Sequence, residues 1–139
     1  MTTPVFIDTS YILALLNKAD DHHQVAVAAS RVVQPPFITT EAVLIEIGNA
    51  LCRARWRDIG LSTIRDLRSD PNIEVIPVDA DLFARALDLY GLRMDKEWGL
   101  TDCVSFVLMQ QVAVTQALTT DRHFAQAGFV DLLAGLPTS

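Results

Sequence analysis

MTTPVFIDTSYILALLN (residues 1–17) sets the problem of this chain. Pro4 to Asp8 has strand character and ends on a carboxylate; Thr9 and Ser10 follow, and then an apolar run with helical character to Asn17. An aspartate between a strand and a helix has two readings. It caps the helix with its side chain, or it is placed there to hold a metal ion. The rest of the sequence has to decide between them.

The pattern of the opening repeats along the chain. After Pro35-Pro36, FITT (37–40) reads as a strand, IEVIPV (73–78) as another and QALTT (116–120) as a fourth, while FVDLL (129–133) has the look of an edge strand. Between them lie helical patterns. DDHHQVAVAASRVV (20–33) is started by Asp20 or Asp21, and EAVLIEIGNALCRAR (41–55) carries Leu44, Ile47 and Leu51 on one stripe. Gly60 is read as closing that element, and LSTIRDLRS (61–69) as a separate helix with Ser62 near its start. ADLFARALDLYGL (80–92), Leu100 to Gln111 with Thr101 as N-cap, and RHFAQA (122–127) complete the set. Strands alternating with helices predict an α/β domain with a mainly parallel sheet, a single domain over 1–139. In open sheets of this class, ligands sit beyond the carboxyl ends of the strands. Asp8 and Asp121 each end a predicted strand, so both are expected at one edge.

Composition narrows the function. The 139 residues are half apolar, with no run approaching the ~18 residues of a membrane span. No basic start precedes a long apolar stretch, so no signal peptide and no membrane association are expected. Two cysteines, Cys52 and Cys103, lie far apart without a CxxC pattern and read as buried free thiols, which fits a reducing cytoplasm. The surplus of apolar residues predicts a buried interface, with a homodimer as the expected form. A net charge of −6 argues against nucleic-acid binding by bulk attraction. It leaves room for a nuclease whose carboxylates collect cations. Basic residues cluster instead: Arg53, Arg55, Arg57, Arg65 and Arg68 form either a solvated face or a contact patch for phosphate or a partner.

Taken singly, Asp8 and Asp121 are possible helix caps, and Asp102 is a first-turn acid favoured by the helix dipole. Glu46 sits mid-helix inside AVLIEIGNAL, where a charge is harder to explain; Asn49 lies three residues on, on the same face, as Ser105 does from Asp102. Jointly, these acids form a set. Clustered carboxylates repel one another unless a cation offsets the repulsion, and Mg²⁺ or Mn²⁺ suits an all-oxygen cluster. No Cys/His set has zinc spacing, and His123, two residues after Asp121, reads as a supporting residue rather than a ligand. Asp95 is a further acid, either exposed or assisting a second metal.

VFIDTS, TTEAVLIEIGNAL, WGLTDCVSF and ALTTDRHFAQAGF, in this order and spacing, resemble the motifs of a PIN domain nearly end to end. The resemblance implies a three-layer fold, with a central, mainly parallel sheet of four or five strands flanked by helices. It implies an Mg²⁺- or Mn²⁺-dependent ribonuclease, with Asp8, Glu46, Asp102 and Asp121 as the catalytic acids and metal ligands. Thr9, Ser10 and Thr120 match the accompanying hydroxyls and Asn49 the polar neighbour of the glutamate. Small members resemble VapC-like toxins, so the expected partners are an RNA substrate and a cognate antitoxin. Arg53, Arg55 and Arg57 are candidates to contact either one, and a groove between 41–55 and 61–69 is a candidate seat for an antitoxin helix. Rival readings fare less well. A HAD phosphatase wants a second acid two residues after the first, and Ser10 stands there; a P-loop enzyme wants GxxxxGK, which is absent. A PIN-like fold that only binds RNA or protein, with weak metal affinity, is the alternative from a different class.

Overall fold

The computed structural model describes residues 2–136. Met1 and residues 137–139, part of the expected domain, lie outside them. β1 (Val5–Ile7) is buried at every position, and Asp8 alone separates it from α1 (Thr9–Leu16). A strand that is apolar at consecutive positions, instead of alternating, is one covered on both faces. In chain order there follow α2 (His23–Val32), β2 (Phe37–Thr40), α3 (Glu41–Ala50), α4 (Ala54–Ser69) and β3 (Ile73–Ile76). Then come α5 (Ala80–Leu92), α6 (Leu100–Gln111), β4 (Gln116–Leu118), α7 (His123–Gln126) and β5 (Val130–Asp131).

The five strands form one parallel sheet in the order β3-β2-β1-β4-β5. The chain therefore builds outward from β1 to β3, then returns to the other side of β1 to add β4 and β5. Right-handed crossovers running in opposite directions place their helices on opposite faces of the sheet. The switch of direction falls between β1 and β4, and that is where an open parallel sheet leaves a crevice at its carboxyl edge. The register sets Ile7 beside Leu118, and the Asp8 amide donates to the Leu118 carbonyl at 3.1 Å, one residue past β1.

Beneath the crevice lies an aromatic cluster. Phe6, Phe106 and Phe124 are almost fully buried, and the Phe124 ring sits 6.0 Å from Phe6 and 4.9 Å, edge-on, from Phe106. Trp98 meets Phe106 edge-on at 5.0 Å and donates from Nε1 to Gln126 Oε1. These contacts join β1, α6 and α7, the elements that carry or adjoin Asp8, Asp102 and Asp121.

Local boundaries depart from the sequence reading in several places: β3 ends at Ile76, and β4 ends at Leu118, so Asp121 lies in the loop beyond the strand and not directly at its end. The helix from Glu41 stops at Ala50, and α4 starts at Ala54 and runs through Gly60 without interruption. Gly60 is thus mid-helix, and its reason is contact: a Cβ there would meet Leu51 Cβ at 3.1 Å, so glycine lets α4 close on the end of α3. Arg57 Nη1 caps the turn by donating to the Cys52 carbonyl at 2.8 Å. Cys52 itself lies in this connection and is exposed, not buried; only Cys103 is a buried thiol, pushed up to about 11 by burial. At α2, Asp20 Oδ1 accepts from the His22 amide, and this turn delays the helix to His23. At α6 the N-cap is Gly99, not Thr101.

Candidate active site

Asp8 occupies the N-cap position of α1 but makes no side-chain cap bond. Its Oδ2 accepts from Ser10 Oγ at 2.7 Å and from Thr119 Oγ1 at 2.8 Å. The capping explanation for this residue therefore fails: two hydroxyls hold the carboxylate, and they hold one oxygen only. Asp8 is 4 % exposed, and burial pushes its pKa up from 3.8 to about 6, against the pull of the two hydroxyls; the charge of Asp102 nearby adds to the rise.

The second hydroxyl is Thr119, and sequence reading had pointed to Thr120. The register explains the difference. With Ile7 beside Leu118, the next positions along the two strands are Asp8 and Thr119. Thr119 is fully buried, and its Oγ1 also accepts from the Asp121 amide at 2.9 Å, so one hydroxyl ties two acids together. Thr120 contributes its backbone amide, which donates to Ser10 Oγ at 2.9 Å. The clue available in the sequence was the paired Thr119-Thr120 ahead of Asp121; which of them faces Asp8 is a matter of strand pairing.

The other acids are arranged in the same manner. Thr9 Oγ1 donates to Glu46 Oε1 at 2.6 Å and brings α3 to the end of β1. Asp102, in the first turn of α6, reaches back so that its Oδ2 accepts the Gly99 amide at 3.1 Å and His123 Nδ1 at 3.0 Å. Burial is the main cause that raises the Asp102 pKa, with Asp121 adding to it and His123 opposing it. Asp121 Oδ1 accepts the His123 amide at 2.9 Å and lies 3.2 Å from His123 Nδ1. Ligand atoms of Asp102, Asp121 and His123 all fall within 4.8 Å of one another.

Across Asp8, Glu46, Asp102 and Asp121 one rule holds. A single oxygen takes the protein's donors, and the second (Asp8 Oδ1, Glu46 Oε2, Asp102 Oδ1, Asp121 Oδ2) has none. No buried side-chain oxygen or nitrogen among the described residues is left without a partner, so the four free oxygens reach solvent. Carboxylates with pinned orientation and one open oxygen each, two of them (Asp8 and Asp102) with a raised pKa, are a donor set that a hard divalent cation fits.

Other expected site residues lie outside this network. Asn49 is exposed and does not bond to Glu46; it lines a groove with Leu44, Ile45, Ile64, Arg68 and Val75. Ser105 bonds back to the Thr101 carbonyl within α6. Asp95 is held by Arg93 through two bonds of 3.0 Å, which keep its carboxyl down at about 2. Arg53 is the N-cap of α4, Arg55 covers the Trp56 ring at 4.7 Å, and Arg57 caps Cys52; none of the three bonds to the acids.

A family model described as PIN domain matches residues 5–130. The chain belongs to the PIN domain family. PIN domains are nucleases and generally depend on divalent cations. Over 128 residues this PIN domain is 28% identical to the 23S rRNA-specific endonuclease VapC20 of Mycobacterium tuberculosis, covering 92% of this chain and 97% of that protein. It superposes on the crystal structure of M. tuberculosis VapC20, described as a Sarcin-Ricin loop cleaving toxin, with a TM-score of 0.86 at 27% identity over 92% of this chain and 98% of the other. FitAcB from Neisseria gonorrhoeae gives a TM-score of 0.67 at 16% identity, over 95% of this chain and 99% of that one. A toxin–antitoxin complex from Klebsiella pneumoniae gives 0.61 at 14%, over 96% and 93%. The last two are likenesses of fold.

Proposed function

We propose that this PIN domain is a ribonuclease that uses Mg²⁺ or Mn²⁺ to hydrolyse RNA phosphodiester bonds, and that it is the toxin of a toxin–antitoxin pair. The observation that carries the reading is the set of four carboxylates, each with one oxygen anchored and one open, at the switch point of the sheet. When bound there, a divalent cation supplies charge neutralisation for the phosphate and an acidified water. Asp8, Glu46, Asp102 and Asp121 would hold it. Ser10, Thr119 and Thr9 fix the anchored oxygens, so the open ones are aimed before the ion arrives. The acids' task would be to hold the ion, which would in turn supply the activated water. Arg53, Arg55 and Arg57, exposed on the start of α4, offer contacts for the RNA backbone or for a partner.

The likeness to VapC20 extends the proposal to its partners. The substrate class is a structured RNA loop of the ribosomal kind named for VapC20. The inhibitor is an antitoxin whose helix seats in the groove lined by Gly48, Leu51, Gly60, Leu61 and Ile64. A second copy would cover Phe83, Leu87 and Tyr90, exposed at helical spacing on α5. We also propose one domain over 1–139 and a cytoplasmic location; no helix among the described residues is long and apolar enough to cross a membrane.

The test is cleavage of total RNA and of an isolated rRNA loop by the purified chain, with Mg²⁺, Mn²⁺ or EDTA. Cutting that needs the cation and is lost in Asp8→Asn is the expected result. RNA binding without cutting, indifferent to the cation, would replace the enzyme with a binding module.

A further inference from the structure

The His123 side chain reaches the carboxylates of two acids on separate elements. Its Nδ1 is 3.0 Å from Asp102 Oδ2 and 3.2 Å from Asp121 Oδ1, so the ring spans an acid on α6 and an acid on the loop after β4. A carboxylate only accepts, so Nδ1 carries the hydrogen and donates. The ring's place is fixed twice. Its own amide donates to Asp121 Oδ1, and the next residue, Phe124, is wedged fully buried between Phe6 and Phe106. A donor at this point offsets the repulsion between two like charges on separate elements. The same bond selects which Asp102 oxygen faces inward, since Oδ2 is occupied by Gly99 and His123 together.

We propose that His123 is a positioning residue: its Nδ1–H fixes the spacing and the presented oxygens of Asp102 and Asp121, and thereby sets the affinity of the site for its cation. This rests on the reading of the four acids as a cation site. Groups that orient metal ligands in this way are worth about 10- to 100-fold in metal affinity.

The experiment is Mn²⁺ titration by calorimetry on the full chain, for wild type, His123→Leu, His123→Ala and His123→Asn, with thermal unfolding as a check on folding. Leucine and alanine cannot donate; asparagine places an N–H close to the position of Nδ1. The expected result is a Kd weakened by about 10-fold or more in His123→Leu and His123→Ala and returned to within about threefold of wild type in His123→Asn. RNA cleavage by His123→Leu should recover when Mn²⁺ is raised to saturation, as a loss of affinity requires and a loss of chemistry does not. An unchanged Kd in a folded His123→Leu or His123→Ala protein would overturn the inference. So would equal loss in the asparagine variant, which would make the imidazole a ligand in its own right. No Mn²⁺ binding by wild type would overturn the cation site itself, and the positioning role with it.

Discussion

Asp8 is buried, with two hydroxyls as its side-chain partners, and its raised pKa has a consequence for stability. The folded chain holds this proton up to about pH 6, whereas the unfolded chain releases it near 3.8. Between those values the folded state binds more protons, so stability is full below about pH 4 and falls as pH rises through 6. The difference between 3.8 and about 6 corresponds to ~3 kcal/mol. Asp8→Asn keeps an acceptor for Ser10 and Thr119 and removes the charge. In cation-free buffer at pH 7 its unfolding free energy should exceed that of wild type by up to ~3 kcal/mol, read from urea denaturation. The sign reverses for the cation, which binds the ionised form: Mn²⁺ affinity should drop about tenfold per pH unit below 6, measured by titration calorimetry. Thr119→Val removes a hydroxyl that lowers the Asp8 pKa and leaves the Asp121 amide unpaired. It should destabilise by about 1–3 kcal/mol and move the pH midpoint of Mn²⁺ binding upward. Residue types at this site were legible in the sequence, because acids beside hydroxyls at strand ends are conspicuous. Thr119 was not told from Thr120, since no local pattern states which residue of one strand lies beside which of another.

The elements behave likewise. Strand-forming runs and amphipathic helices were readable because their periodicity follows from burial of one face or both. The break between α3 and α4 was misplaced at Gly60, for neither glycine nor proline marks the real turn at residues 51–53. That turn exists because α4 folds back on α3, and the glycine serves the contact. Gly60→Val should therefore cost about 1–3 kcal/mol through overpacking against Leu51, measured by chemical denaturation with the secondary structure otherwise kept. Phe124→Ala empties the space between Phe6 and Phe106 and should cost about 3–5 kcal/mol. It should also weaken Mn²⁺ binding, because α7 carries His123 and follows Asp121 directly. Unchanged Mn²⁺ affinity in a folded Phe124→Ala protein would detach the aromatic cluster from the site.

For the molecule as a whole, the site is the product of topology. Asp8 and Asp121 share Thr119 because β4 returns to the side of β1 opposite β2, Asp102 and Asp121 both lie beside His123, and Glu46 is tied to the end of β1 through Thr9. A cation binding all of them should stabilise the fold as a unit, by ~2.7 kcal/mol at 100 times its Kd. Thermal unfolding with and without Mn²⁺ measures this, and the increment should vanish in Asp8→Asn. EDTA should abolish cleavage while leaving the sheet and its helices folded, since Phe6, Ile47, Phe106 and Leu118 belong to one buried apolar core that needs no ion to pack.

The α/β class, the alternation of strands and helices and the family follow from local periodicity and from residue types at fixed spacing, and the same spacing picks out the four acids proposed as cation ligands. Only the tertiary structure decided that Thr119 holds Asp8, that Thr9 rather than Asn49 holds Glu46, that Asp95 is drawn off to Arg93, and that His123 spans two acids. The physical reason is that a hydrogen bond needs its partners within about 3 Å in a fixed direction. Between residues far apart in the chain, strand register and helix packing set that distance.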